Sequence, residues 1–298
     1  MKTMKMRTWI AALVAAAATL CAGNAGAQLY AATGSNGVNG NLFTINPATA
    51  ASTLVAPILV GVLPVSMTGL AVHPTTGVLY GSVAASSPNF GNNLITINRV
   101  TGAAVVIGPF GTTVPDLAFN AAGTLFGWHR GSNSLATINL LTGTATSLGA
   151  SGLAAFSQGG GLAINAAGQG FVSVTGTTPG TLDSVNTTTG AGVAGPALTG
   201  APITDSFPAL AFSTTGVLFG VNSNRSGSPT TNFLVTINTA TGAVTSIGAL
   251  PGDTDALAFV PLAAVSLAPI PTLSEWALIM LALLLAGAGA VTIRRRGA

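Results

Sequence analysis

The chain has 298 residues, 49% of them hydrophobic and only 5% charged, with a formal net charge of +3. Six of its nine Lys and Arg residues sit at the two ends (Lys2, Lys5, Arg7, Arg294, Arg295, Arg296). Residues 28–269 hold three Arg, five Asp and no Lys or Glu, a net charge of −2. That balance excludes an electrostatic footprint for nucleic acid, and solubility must come from Ser, Thr, Asn and backbone amides.

Lys2, Lys5 and Arg7 form a basic start, Trp9–Leu20 an apolar run, and Ala25-Gly26-Ala27 a small-residue cleavage site. This is the pattern of a secretory signal peptide, residues 1–27, cut after Ala27 and read through Ala25 and Ala27. A lipid-attachment site at Cys21 is disfavoured because the bulky Leu20 precedes it. The exported chain then has no cysteine and no disulfide, although its compartment would permit one.

From residue 28 to 261 three patterns recur in fixed order. The first is Gly-Leu-Ala-Val-like, at Gly69–Val72, Asp116–Phe119, Gly161–Ile164, Ala209–Phe212 and Ala256–Phe259. The second is Gly-x-Leu-Tyr/Phe-Gly-like, at Gly77–Gly81, Gly123–Gly127, Gly168–Val172 and Gly216–Gly220, with Gln28–Ala32 a truncated first copy. The third is Leu-x-Thr-Ile-Asn-x-x-Thr-Gly, whose Asn falls at 46, 98, 139, 186 and 238. An apolar β-type run follows each third copy. Every unit thus predicts four short strands, a to d, with no amphipathic helix period. Gly at the a–b and c–d links supplies the positive φ of a tight hairpin, and the Asn is read as turn chemistry.

Five repeats of about 40–50 residues with four strands each predict an all-β, five-bladed β-propeller. The chain starts on strand b (Gln28–Thr33) and ends on a lone strand a (Asp255–Val260). The last strand can therefore complete the first blade and leave no open edge. A linear β-solenoid, the competing fold, would strand that last segment. The units resemble those of secreted bacterial propellers built on "Leu-Tyr-Gly … Ile-Asn-x-x-Thr-Gly"; the resemblance implies fold and little about function. Leu70, Leu117, Leu162, Leu210 and Leu257 are expected between blades.

Catalytic groups are scarce in this body: two His, five Asp and no Cys, Glu or Lys. The sequence has no Gly-x-x-x-x-Gly-Lys loop, no Gly-x-Ser-x-Gly elbow and no His-Glu-x-x-His helix. His73 stands where other repeats have Asn or Ser and reads as a turn residue. His129 and Arg130, beside Trp128, are either loop decoration or a small polar ligand patch. Asp116, Asp205, Asp253 and Asp255 all lie at or just before a strand a, so a propeller would gather them on one face. They either cap turns or form a weak candidate site for a cation, for which Ca2+ fits best. Asp183 has no partner legible in the sequence. No cofactor is otherwise expected.

Residues 262–269 form a linker, and residues 270–298 a tail. The tail runs Ile270-Pro271-Thr272-Leu273-Ser274-Glu275-Trp276, then an uncharged stretch to Ile293, then Arg294, Arg295 and Arg296. As a helix, Trp276–Ile293 would reach roughly 27 Å, the thickness of a bilayer core. The Arg cluster would stop it on the cytoplasmic side. Motif, span and Arg cluster in this order resemble the IPTL-type C-terminal sorting signal of Gram-negative bacteria. That resemblance implies an exosortase substrate, with Ile270, Pro271, Thr272, Leu273 and Trp276 the recognised residues. Pro271 keeps the peptide extended outside the membrane, where a protease can grip it. Ala277 departs from the Gly that often follows the Trp.

The expected protein is exported through the inner membrane, held there by its C-terminal helix before processing, and delivered to the envelope, outer surface or exterior. Its propeller is expected to bind or scaffold without catalysis. Extracellular polysaccharide is the partner the exosortase resemblance implies. The alternative is a metal-dependent hydrolase or lyase using the Asp residues at the propeller mouth.

Overall fold

The computed structural model describes residues 28–34, 37–154, 160–174, 180–203, 206–224 and 230–260. Ala25, Ala27, the motif Ile270–Trp276, the span and Arg294–Arg296 lie outside the described residues, as does Asp205.

The described residues are all β and form a five-bladed propeller. Blade 1 contains β1 (Gln28–Thr33), β2 (Asn41–Ile45) and β3 (Ser52–Pro57). Two short strands, β4 (Leu59–Val60) and β5 (Leu63–Pro64), follow. Blade 2 is β6 (Met67–Val72), β7 (Leu79–Val83), β8 (Asn93–Ile97) and β9 (Ala103–Pro109). Blade 3 is β10 (Leu117–Phe119), β11 (Leu125–His129), β12 (Ser134–Ile138) and β13 (Ala145–Ser147). Blade 4 is β14 (Leu162–Ile164), β15 (Gln169–Val174), β16 (Thr181–Asn186) and β17 (Gly192–Val193). Blade 5 is β18 (Ser206–Phe212), β19 (Leu218–Ser223), β20 (Asn232–Ile237) and β21 (Val244–Leu250). The last strand, β22 (Thr254–Val260), returns to blade 1 and pairs antiparallel with β1, Tyr30 opposite Ala258.

This return closes the disc and excludes the solenoid. The inner strands touch in the order β6, β10, β14, β18, β22 and back to β6, a complete ring around an axis.

The closure follows from the alternation of side chains along each strand. The five hydrophobic clusters of the core coincide with the five blade–blade interfaces. In β1, Leu29 and Ala31 face blade 5 while Tyr30 and Ala32 face blade 2. Leu70, Leu117, Leu162, Leu210 and Leu257 each face the preceding blade, and the Ala after each faces the following one. Each Leu is at most 1% exposed. Burial of such a side chain is worth about 1.5–3 kcal/mol. The small Ala opposite lets neighbouring sheets approach closely.

The c–d turns repeat to the level of single bonds. Asn46, Asn98, Asn139, Asn186 and Asn238 each accept through Oδ1 from the N–H two residues on, at 2.8–2.9 Å. The fourth residue after the Asn takes positive φ: Gly102, Gly143, Gly190 and Gly242, with Ala50 in the first repeat. Gly143 lies against the Gly108 carbonyl of blade 2, and Gly242 against the Ala197 carbonyl of blade 4. Each of these turns therefore docks on the end of the preceding blade.

One blade departs from the four-strand pattern. β4 pairs in parallel with β9, and β5 folds back on β4, so blade 2 lies in a six-stranded sheet. The start of the outer edge of β9, at Ala103 and Ala104, is thereby paired.

Candidate functional site: the propeller axis

In an antiparallel meander the a–b and c–d turns share one face, and the b–c loops and the connectors into strand a share the other. The axis accordingly has two unlike ends. At the turn face all five inner strands line a funnel of about 90 Å³. Its wall carries Val72, Phe119, Ile164, Phe212 and Phe259, and every lining side chain is apolar.

At the loop-face end stands Asp116, fully buried at the start of β10. It occupies the first position of the Gly-Leu-Ala-Val-like pattern, where the other four blades have Gly69, Gly161, Ala209 and Ala256. Gly69 leaves room for the carboxyl group. A Cβ on Gly69 would lie 2.7 Å from the Asp116 Cα and 3.0 Å from its Oδ1. Inner strands bond to strand b along one edge only, so their other edge turns N–H groups toward the axis. The Asp116 carboxyl accepts three of them: Leu117 on Oδ1 at 2.9 Å, and Leu162 and Leu210 on Oδ2 at 2.8 and 3.2 Å. One side chain thus ties together the inner strands of blades 3, 4 and 5.

Burial pushes the Asp116 carboxyl well above the usual carboxylate range. The N–H groups of Leu162, Leu117 and Leu210 pull the other way, and the negative charge of Asp255 adds to the rise. Desolvation dominates because an interior of low dielectric penalises the ionised form more than three hydrogen bonds favour it.

The remaining candidates serve the frame. Asp253 is 8% exposed and exchanges two bonds with Thr230: its Oδ1 accepts the Thr230 N–H at 3.1 Å, and its N–H donates to Thr230 Oγ1 at 2.9 Å. Its carbonyl accepts the Gly34 N–H, which fixes the approach to the closing strand. Asp255 is 2% exposed on β22. Asp183, unassigned by sequence, accepts the Gly195 N–H at 2.9 Å. His73 accepts the N–H groups of Thr75 and Thr76 on Nδ1, each at 3.3 Å, and packs on Phe119, as a turn residue should. Trp128 is buried between blades 3 and 4, whereas His129 caps the turn at Ser132, so the structure splits that trio. Gly161 precedes β14 and lies against the Ala209 and Leu210 backbone. Among the described residues no three His, Cys, Asp or Glu side chains gather at one point.

Sequence reasoning missed a set of buried polar groups at the ends of strand b. Ser173 Oγ donates to the Phe207 carbonyl at 2.6 Å and accepts the Gly161 N–H at 2.8 Å, joining blades 4 and 5. Ser82 makes the matching bond to the Val114 carbonyl between blades 2 and 3. A Ser inside an apolar strand run was the available signal.

Residues 268–296 match the IPTL-CTERM motif. A comparison with the curated proteins finds no match. A chain from the crystal structure of a nidogen/laminin complex is similar at a TM-score of 0.52 and 11% identity, over 80% of this chain and 99% of that one. A chain of Kuenenia stuttgartiensis hydrazine synthase overlaps at a TM-score of 0.40 and 15% identity, over 62% of this chain and 49% of that one. The first likeness is one of fold. The sorting motif and the five-bladed body make this an exported propeller protein of the envelope or cell surface.

Proposed function

We propose that this is an exosortase substrate whose propeller binds or scaffolds at the cell envelope without catalysing a reaction. The observation that carries this reading is the state of the axis. Both oxygens of Asp116 accept backbone N–H groups, and the opposite end of the axis is lined by apolar side chains. A general acid, base or metal ligand needs a lone pair or proton aimed at a substrate. At Asp116 those lone pairs are directed into the frame.

The loop face supplies the contact surface, since loops on a rigid scaffold are where recognition concentrates. The b–c loop of blade 2 (residues 84–92) presents Phe90, 37% exposed, and is tied down by the Asn89 Nδ2 bond to the Pro64 carbonyl. This uncharged, polar loop with its exposed aromatic ring suits a neutral polymer such as extracellular polysaccharide.

The test is the mass and location of the mature protein in its host. Wild type should appear in the envelope or outer fraction without the residues beyond about Pro271. Pro271→Ala and Trp276→Ala should accumulate in the inner membrane at the mass of the unprocessed tail. Identical mass and location for all three proteins would overturn the sorting assignment. Depolymerised polysaccharide released by the purified protein, and lost with Asp116→Asn, would overturn the non-catalytic one.

A further inference from the structure

We propose that the axial N–H groups of the inner strands form a binding nest for one carboxyl group, and that Asp116 is its built-in ligand. Three amides from three blades converge on a point where a single two-oxygen acceptor fits, at 2.8–3.2 Å. Leu162 and Leu210 belong to other blades, and Leu117 is held in β10 opposite Gly127, so the spacing of the three is set by the ring of inner strands. The nest is therefore a property of the closed disc, and the disc keeps it when the carboxyl is removed. Converging backbone amides in a concave, water-poor site are a general means of binding anions and carboxyl oxygens.

The probe follows from Asp116 itself, whose side chain is a carboxyl group on one methylene; a Cβ on Gly69 would lie 3.0 Å from its Oδ1, and formate and acetate match the volume that its removal vacates. The groups facing the site are Asp255 from β22, Gly69 from β6, and the Leu162 and Leu210 backbone from β14 and β18. This assignment concerns the axis alone and is independent of how the chain is sorted.

The experiment uses the full-length chain in detergent, as wild type and as Asp116→Gly. Thermal unfolding is followed at about pH 4, near the ordinary carboxylate pKa, where much of the formate carries the proton that the site favours, with sodium formate and with sodium chloride at equal ionic strength. Asp116→Gly should melt lower than wild type, and about 0.2 M formate should raise its Tm by about 5 °C. Wild type should not respond. ¹³C-formate should bind the variant with a stoichiometry of one, and benzoate should not compete. Equal responses of wild type and variant, no formate response of the variant, or an equal effect of chloride would each overturn the nest. If Asp116→Gly is recovered unfolded, it is refolded with and without formate. Folding only in formate supports the nest, and no folding in formate overturns it.

Discussion

Asp116 shows how one residue acquires a role from its ring position. Four blades place Gly or Ala at this register, and the fifth places a carboxyl there, against Gly69. Its pKa is raised by burial, so the folded state holds the proton more tightly than the unfolded chain does. The stability this contributes is full below the ordinary carboxylate pKa of about 4 and is lost as pH rises through the folded value. Wild type should therefore exceed Asp116→Asn by a margin that shrinks as pH increases from 4 toward 7. Urea unfolding of both proteins at pH 4, 5.5 and 7 measures it. A margin that widens with pH would mean an ionised Asp116, with its three N–H bonds outweighing desolvation.

At the level of elements, the turn is the unit that the sequence writes most openly. Asn, Thr and Gly within five residues specify an Asn-capped turn with one positive φ, and all of its bonds are local. The same locality made strands a to d legible, and their order made closure legible. The pairing of β4 with β9 was not, because it joins Leu59 to Ala103 across a blade boundary and belongs to no repeat. The setting of Asp116 was hidden for the same reason. Its oddity within a row of small residues was visible, but two of its three donors lie 46 and 94 residues away. Packing of a turn on its neighbour also escapes the local code, and it separates two glycines that look alike in sequence. Gly143 has φ 79° and would place a Cβ against the Gly108 carbonyl, whereas Gly216 has φ 81° and faces open space. Gly216→Ala should cost about 1 kcal/mol, from backbone strain alone. Gly143→Ala should cost about 2–4 kcal/mol, since the turn must also lift off blade 2. Equal losses in urea unfolding would show that the turn does not hold the interface.

For the whole molecule, the decisive contact is the one between the two ends of the body. Each blade buries its inner strand against two neighbours, so five blades without a closed seam would leave two apolar sheet faces exposed. Leu29, Ala31, Ala256 and Leu257 all lie at this seam at 0% exposure. The seam rests on β22, paired with β1 from Gln28–Val260 to Thr33–Thr254. Ala258 sits in mid-strand opposite Tyr30, and a proline there removes a ladder N–H and clashes with the neighbouring backbone. Ala258→Pro should lower Tm by about 10 °C or more, because the lost pairing releases burial on both sides of blade 1. Amide exchange should locate the damage: β1, β2 and β3 lose protection first, while β11 and β12, across the ring in blade 3, keep theirs longest. Uniform loss across all five blades would instead mean that the disc unfolds as one unit whatever its weakest joint. A Tm within about 1 °C of wild type would mean that the last strand is an accessory to a ring held shut by its other four interfaces.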